Sequence, residues 1–282
     1  MKGIMTMIVM LGIINTYAQS DSTKIDTIKS GNFVIIKKNK TESKLNSNRE
    51  VNFEVHVNID SSNKKKCTNA NINWLVMDLG FANYRDNSNY SSAIANGYVD
   101  AKRPVDANSM GLNGGKSSNV NLWLFMQRYN LIKKIVNVKY GFGLEMYNFR
   151  FDKSISYRKN PTNYVELDSI GFSKDKLYTG YLTVPFMLNF NLTPNKSEGL
   201  SFSAGVSAGY LVGSHLKQIS SQRGKEKYKS NFNLNPWKLA AIAELGLGPI
   251  RLYGSYSFSA LHKDITGLEQ YPYSVGVRFS KW

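Results

Sequence analysis

Cysteine is nearly absent from this chain of 282 residues, in which Cys67 stands alone. A single thiol excludes a disulfide scaffold, and it excludes a cysteine-based zinc or iron–sulfur site built within one chain. Histidine is scarce too, and His56, His215 and His262 do not occur at the spacing of metal ligands. We therefore expect no cofactor and no metal. We also expect no enzymatic activity, since no acid, base and nucleophile stand out together.

Long apolar runs are lacking as well. After residue 14 no uncharged hydrophobic stretch approaches the length of about 18 residues that a membrane-spanning helix needs. Acidic residues are few, because 20 Asp and Glu stand against 36 Lys and Arg, for a formal net charge of +16. That excess suits nucleic acid, an anionic membrane surface or acidic glycans, and charge alone does not choose among them. The chain does have 42% hydrophobic and 12% aromatic residues, which excludes global disorder.

The first residues have the pattern of a secretory signal peptide. Met1 and Lys2 supply a positive start, residues 3–14 form an uncharged apolar run, and Thr16 and Ala18 are small residues suited to a cleavage site. We predict that residues 1–18 are a signal peptide and that the mature chain is exported. The alternative is the apolar first element of a cytoplasmic protein, which the change to polar sequence at Gln19 disfavours.

Residues 19–70 are polar and rich in lysine, with two short alternating runs at 32–36 and 51–57. We expect a periplasmic extension with at most one weak hairpin. Its lysine clusters at 37–40 and 64–66 are typical of solvated backbone, and a patch that meets phosphate or an acidic polymer is the less favoured interpretation.

After residue 70 the chain changes to runs of a dozen or more residues in which apolar and polar side chains alternate. Eight such runs occur, at 71–84, 118–130, 135–152, 176–191, 199–216, 232–247, 250–262 and 271–282. The gaps between them are alternately long and short, as expected when extracellular loops and periplasmic turns lie at opposite ends of a barrel. The sequence therefore predicts an all-β fold, an eight-stranded antiparallel up-and-down transmembrane β-barrel over residues 71–282, after an N-terminal extension.

Two kinds of barrel fit this alternation, and they differ in which face points inward. In run 250–262 one face carries Ile250 and Leu252, and the other carries Arg251, Ser255 and Ser257. Small polar residues suit the narrow lumen of eight strands, which favours a membrane barrel with its apolar face toward lipid. Aromatic residues near the run ends are interpreted as interfacial girdles, among them Trp74, Tyr84, Tyr129, Tyr147, Phe149, Tyr210, Trp237 and Trp282. The alternative is a soluble exported lipocalin-like barrel that binds an apolar ligand inside.

Several segments occur together in this chain: NLIKK followed by GFGLEMYNFRFD, then YLTVPFMLNF, AGVSAGYLVGSHLK, FNLNPWKLAA, LYGSYSFSAL and YPYSVGVRF. Through them, roughly residues 71–282 resemble the small outer-membrane β-barrel proteins of Gram-negative bacteria, in the branch called PorT-like or OMP β-barrel domain, with a porin-like fold. The resemblance implies an outer-membrane location and brings no catalytic residues. As partners we expect outer-membrane lipid and lipopolysaccharide, the barrel-assembly machinery, and an unknown envelope protein or extracellular ligand, but no nucleic acid.

Two sets of charged residues are candidate sites. The first is a set of charges on the inward face: Asp78, Lys139, Glu145, Lys238, Glu244, Arg251 and Arg278. We expect a salt-bridged plug, because eight strands enclose little more than their own side chains, and an ion-selective pore or proton relay is the alternative. The second is a set of basic residues in the predicted extracellular loop 217–231: Lys217, Arg223, Lys225, Lys227 and Lys229. These indicate contact with lipopolysaccharide phosphates or an acidic ligand, or plain solubility of an exposed loop.

Overall fold

The computed structural model describes residues 69–159, 162–193, 199–248 and 250–280, together with the backbone of three strands nearer the N-terminus. Residues 1–18, for which a signal peptide is predicted, and Trp282 lie outside the described residues. The chain divides into two compact units, residues 1–66 and 67–282. Within the described part of the chain, no helix is both long enough and apolar enough to cross a membrane.

The first unit contains an antiparallel sheet of three strands in chain order, β1 (Ile25–Ser30), β2 (Phe33–Lys38) and β3 (Phe53–Val57). Strand β2 pairs with β1 through Ile28↔Ile35 and with β3 through Ile35↔Val55. The sequence predicted at most one weak hairpin here and did not predict β1. The two isoleucines of β1 are three residues apart, which hides the period-two pattern of a strand.

The second unit is the barrel. Its strands are β4 (Ala70–Asp86), β5 (Ser118–Ile132), β6 (Val136–Arg150), β7 (Ile155–Arg158), β8 (Tyr164–Leu167), β9 (Lys174–Asn191), β10 (Leu200–Ser220), β11 (Gly224–Lys229), β12 (Trp237–Leu247), β13 (Ile250–Ser257) and β14 (Gln270–Phe279). Eight of them form a closed antiparallel ring in the order β4-β5-β6-β9-β10-β12-β13-β14, because β14 pairs back onto β4 from Gln270↔Asp86 to Phe279↔Met77. The predicted eight-stranded antiparallel up-and-down barrel is confirmed.

Side chains alternate between the two faces of the barrel wall. Along β9, Leu182, Val184 and Phe186 are exposed on the outer face, whereas Thr183 and Asn189 are buried inside. The same arrangement recurs on β6, where every second residue from Asn137 to Phe149 is buried. An apolar outer face and a polar inner face are what a lipid environment requires. This is the reverse of the arrangement that the lipocalin-like alternative needs.

The two ends of the barrel differ. At one end, β5 and β6 are joined by a tight turn of residues 133–135, in which Lys133 and Lys134 have positive φ angles of 45° and 60°, the sign that tight hairpin turns between twisted strands favour. At the other end, long connections hold helix α1 (Tyr90–Ala95), the β7–β8 hairpin and a 3₁₀ turn at Asp264–Thr266.

These long connections fold into a compact cap with an apolar core of its own. Tyr98, Val105 and Met110 come from the connection between β4 and β5, and they pack with Tyr157 of β7 and Leu234 from the connection before β12. The phenol hydroxyl of Tyr98 donates a hydrogen bond of 2.5 Å to the carbonyl of Phe232, which joins two connections. The cap is therefore a folded lid over this end of the barrel.

Several predicted boundaries were wrong because alternation also occurs in the cap. The predicted loop 153–175 contains the β7–β8 hairpin, and the predicted loop 217–231 is a hairpin of β10 and β11. The predicted strand 232–247 begins only at Trp237, since Phe232 and Leu234 pack into the cap core. The predicted strand 250–262 likewise ends at Ser257, and Leu261 lies in the same core.

The aromatic residues divide into two groups. Trp74, Tyr129, Tyr210 and Trp237 are exposed on the outer wall, as the girdle prediction requires. Tyr84, Tyr147 and Phe149 were wrongly assigned to the girdle, because they point inward and belong to the cap core. Tyr147 and Phe149 stack with ring centroids 5.4 Å apart.

Candidate functional site

The seven predicted inward charges lie together inside the barrel. They come from five strands, with Asp78 on β4, two residues each on β6 and β12, Arg251 on β13 and Arg278 on β14. None of them exposes more than 5% of its surface. Four cations and three carboxylates therefore share a space that water scarcely reaches, and such charges are stable only when they are paired and hydrogen-bonded.

Glu244 is the centre of this lumen charge cluster. Its Oε1 lies 2.6 Å from Lys139 Nζ and 3.0 Å from Arg251 Nη1, and its Oε2 lies 2.7 Å from Arg278 Nη1. Lys139 is on β6 and Glu244 is on β12, and these strands are not neighbours in the ring, so their ion pair crosses the lumen. One carboxylate thus holds three cations from three strands.

A second pair closes the seam where the first and last barrel strands meet. Arg278 on β14 donates from Nε to Asp78 Oδ1 at 2.7 Å and from Nη2 to Asp78 Oδ2 at 2.8 Å, a bidentate geometry. Asp78 on β4 also accepts from Trp123 Nε1 at 2.7 Å and from Asn121 Nδ2 at 3.0 Å. This carboxylate is held by four donors, which fixes the register at which the barrel closes.

The third carboxylate ties the cluster to the cap. Glu145 on β6 accepts from Lys238 Nζ of β12 at 2.8 Å and from the Tyr147 hydroxyl at 2.6 Å. The Lys238 ammonium also lies 5.1 Å from the centroid of the Tyr147 ring. Glycine makes room nearby, since a Cβ at Gly143 would collide with the backbone of Leu122 and Trp123.

Little space remains among these side chains. A cavity of about 20 Å³ lies between Asn121, Trp123, Glu145, Glu244 and Arg278 and their neighbours. That volume holds about one water molecule. The geometry therefore offers an interior in which every carboxylate is paired with fixed cations and little room remains for mobile ions.

One short pattern in the barrel wall is typical of a catalytic serine. Residues 205–209, Gly-Val-Ser-Ala-Gly, match the pattern Gly-x-Ser-x-Gly. In α/β-hydrolases that serine sits on a sharp turn between a strand and a helix. Here Ser207 is buried in the middle of β10, opposite Pro185 of β9 and Ala240 of β12. The match therefore lacks the exposed turn that activates a nucleophile.

His215 and His262, the two histidines in the described part of the barrel unit, lie apart from each other and from the lumen charge cluster. The ring of His262 stacks on Tyr157 in the cap core with centroids 5.9 Å apart, and burial lowers the pKa of His262 to about 3. His215 stacks on Tyr178 of β9, with ring centroids 4.6 Å apart. No group of three or more His, Cys, Asp or Glu side chains in the described ranges could hold a metal ion.

The predicted basic loop residues separate into two groups. Lys217, Lys225, Lys227 and Lys229 lie on the outer face of the β10–β11 hairpin, where Lys217 pairs in register with Lys227. Arg223 does not join them, because its Nη1 lies 3.1 Å from Asp168 Oδ2 in the cap. The sequence did not single out three further basic residues that strand pairing brings to the same outer face, Arg150, Lys174 and Lys176.

The comparisons with known proteins agree with this geometry. A family model described as outer membrane protein beta-barrel domain matches residues 17–264, which is most of the chain. No curated protein and no solved structure matches. With a closed ring of eight strands, an apolar outer face and this family match, the protein is an integral outer-membrane barrel. The chain belongs to the outer membrane protein beta-barrel domain family.

Proposed function

We propose that this protein is a closed, non-enzymatic outer-membrane barrel, whose cap and basic outer surface make contacts at the cell exterior. The observation that carries this proposal is the lumen charge cluster, in which every carboxylate holds at least one cation within 3.0 Å. A barrel with such an interior acts as a scaffold for its two ends and not as a conduit between them.

The physical case against conduction rests on the size and the pairing of the lumen. Eight strands leave an interior that side chains can fill, and here two ion pairs, Lys139–Glu244 and Lys238–Glu145, run across it. A permeating ion would have to displace a buried pair and leave a charge without its partner, which costs several kcal/mol. The apolar cap core over one end adds a second barrier.

Conductance of the purified protein in a planar lipid bilayer tests this proposal. The folded fraction is first verified by heat-modifiable migration on a gel, and a general porin serves as positive control for the assay. We expect no stepwise current above the lipid baseline. A stable ohmic channel formed by the folded, unproteolysed protein would replace the scaffold proposal with the pore alternative.

The cellular location and the orientation of the barrel in the membrane are part of the same proposal. We infer that residues 1–18 are removed on export, that the extension lies in the periplasm, and that the cap faces outward. The short turn at Lys133 and Lys134 and the long connections at the other end support this orientation. Lipopolysaccharide would then surround the upper barrel wall, the barrel-assembly machinery would insert the chain, and an envelope protein or extracellular ligand would meet the cap.

A further inference from the structure

Four basic side chains form one row across the outer wall. Arg150 of β6 pairs in register with Lys176 of β9, Lys176 pairs with Lys217 of β10, and Lys217 pairs with Lys227 of β11. We call these four residues the basic row. Neighbouring strands lie about 4.8 Å apart, so the row is about 15 Å wide. Lys174, Lys225 and Lys229 flank it on the same face.

A β-bulge places Lys217 in this row. Up to Tyr210, the even-numbered residues of β10 point outward and the odd-numbered ones, such as Ser207 and Gly209, point inward. The pairing of β10 with β9 shifts register between Leu211 and Gly213, and beyond the shift Leu216 and Gln218 are the buried residues. Such bulges re-aim side chains. Without this one, Lys217 would point into the barrel and leave the outer wall.

The basic row is electrostatically unfavourable by itself. Like charges directly opposite each other on paired strands are destabilising. Among the described residues, no carboxylate lies within 4.0 Å of the ammonium groups of Lys176, Lys217 or Lys227. The pKa of the Lys217 ammonium is lowered by neighbouring lysines, chiefly Lys174 and Lys225. An anion bound against these cations would reduce their mutual repulsion and so stabilise the fold.

The neutral neighbours of the row do not supply that anion. Lys176 Nζ donates to Asn148 Oδ1 at 2.6 Å, and the Arg150 guanidinium donates to the carbonyl of Ser173. His215 beside the row stacks on the neutral ring of Tyr178 and supplies no negative charge. The net result is a concentrated positive field on an outward wall.

The height of the row on the barrel identifies what lies beside it. On β9 the exposed apolar residues that face lipid begin at Leu182 and continue to Phe190, and Tyr178 lies between them and Lys176. Tyrosine in such a position is typical of the membrane–water interface. Lys176 is two residues beyond Tyr178, which is roughly 7 Å along the strand. The basic row is therefore level with lipid headgroups and faces sideways into them.

We propose that the basic row binds the phosphate groups of a phosphorylated glycolipid of the outer leaflet, whose acyl chains lie against the apolar wall below. This deepens the proposed function and rests on its orientation, with the cap outside. The positive charge of the basic row favours an anion as its ligand. Because the row faces sideways from the barrel wall, it favours a lipid beside the barrel over a soluble ligand that approaches from above. The width of the row suits a headgroup with more than one phosphate, because a single phosphate cannot contact all four side chains at once.

The test compares two triple variants of the full chain, folded in neutral detergent. Lys176→Gln, Lys217→Gln and Lys227→Gln remove three charges of the row and keep a polar, unbranched side chain at each position. The matched control is Lys102→Gln, Lys153→Gln and Lys263→Gln, which removes the same charge from exposed cap positions outside the row. The probes are diphosphorylated lipid A, its dephosphorylated form with the same acyl chains, and inorganic phosphate. Heat-modifiable migration reports the folded fraction of each variant.

Each lysine near an anionic lipid surface contributes about a fivefold factor in affinity, so the row variant should bind diphosphorylated lipid A about 100-fold more weakly. The control variant should bind diphosphorylated lipid A as tightly as the wild type does. Neither of these two proteins should bind dephosphorylated lipid A. Without lipid, the row variant should melt at a higher temperature than the wild type, since repulsion is relieved. Equal binding by the row variant and the wild type, or equal loss in the control variant, would overturn the proposal.

Binding of inorganic phosphate as tight as that of the lipid would also overturn it, because the ligand would then be a small soluble anion. These outcomes are separate from conduction. A conducting barrel that still binds diphosphorylated lipid A through the row would refute the closed scaffold and leave this inference standing. A non-conducting barrel that does not prefer diphosphorylated lipid A would refute this inference and leave the closed scaffold standing.

Discussion

Replacement of Glu244 by Gln removes the charge at the centre of the lumen cluster without changing the volume of the side chain. Lys139, Arg251 and Arg278 then lose a carboxylate that lies 2.6 to 3.0 Å from each of them. Four buried cations would remain with only two carboxylates, Asp78 and Glu145. Removing one partner of a buried ion pair costs about 3–5 kcal/mol, and the upper part of that range applies here because three cations are affected.

The assay is urea unfolding of the protein refolded into lipid vesicles, followed by heat-modifiable migration and tryptophan fluorescence. The surface control is Glu269→Gln, at an exposed position of the connection before β14, for which we expect a change below about 0.5 kcal/mol. Adding Lys139→Met to Glu244→Gln should restore part of the loss, because it removes one of the excess cations. A loss below 1 kcal/mol for Glu244→Gln, or no recovery in the double variant, would refute a paired and water-poor lumen.

Two other predictions concern the outer wall and the cap. Val275 is 57% exposed on the outer face of β14, so Val275→Lys should reduce stability in lipid by roughly 2–4 kcal/mol, whereas Ile265→Lys in the cap should change little. Burial raises the pKa of Asp175 to about 7, so between about pH 4 and pH 7 the folded protein holds a proton that the unfolded chain has lost. Through this carboxyl, the free energy of unfolding decreases as the pH rises from about 4 to 7. His262, whose pKa is lowered by burial, makes stability change with pH in the opposite direction, so its contribution is removed by comparing Asp175→Asn with the wild type. Between pH 5 and pH 8, the free energy of unfolding of the variant should increase by about 2–3 kcal/mol relative to that of the wild type. Parallel pH profiles of the two proteins would contradict the role given to Asp175. A lysine at position 275 that leaves stability unchanged would contradict a lipid-facing outer wall.

The barrel and its interior could be predicted because alternation in a strand is a local property. On β6 every second residue from Asn137 to Glu145 is polar or Gly, and the next strands repeat this, so the charged face was evident before any pairing was known. The Lys139–Glu244 ion pair across the lumen could not be predicted, since these residues are 105 positions apart and meet only when the ring closes.

The cap and the basic row could not be predicted for a different reason. Alternating residues at Phe232 and Leu234 resemble a barrel strand, and only the apolar core of the cap shows that they belong elsewhere. Tyr147 and Phe149 near a strand end fit a girdle or a core equally well in sequence. The row depends on register between four strands and on the bulge at Leu211 and Gly213, and neither leaves a local pattern. Lys176 and Arg150 were missed on that account.

The central claim is a barrel that spans the outer membrane with its cap outside, and thiol labelling of intact cells tests it most directly. In a Cys67→Ser background, which removes the one native thiol, a cysteine replaces Lys263 in the cap or Lys134 in the tight turn at the other end. We expect a membrane-impermeant maleimide to modify Lys263→Cys on intact cells and to modify Lys134→Cys only after the outer membrane is permeabilised. The reverse pattern, or recovery of both variants unlabelled in a soluble periplasmic fraction, would contradict it.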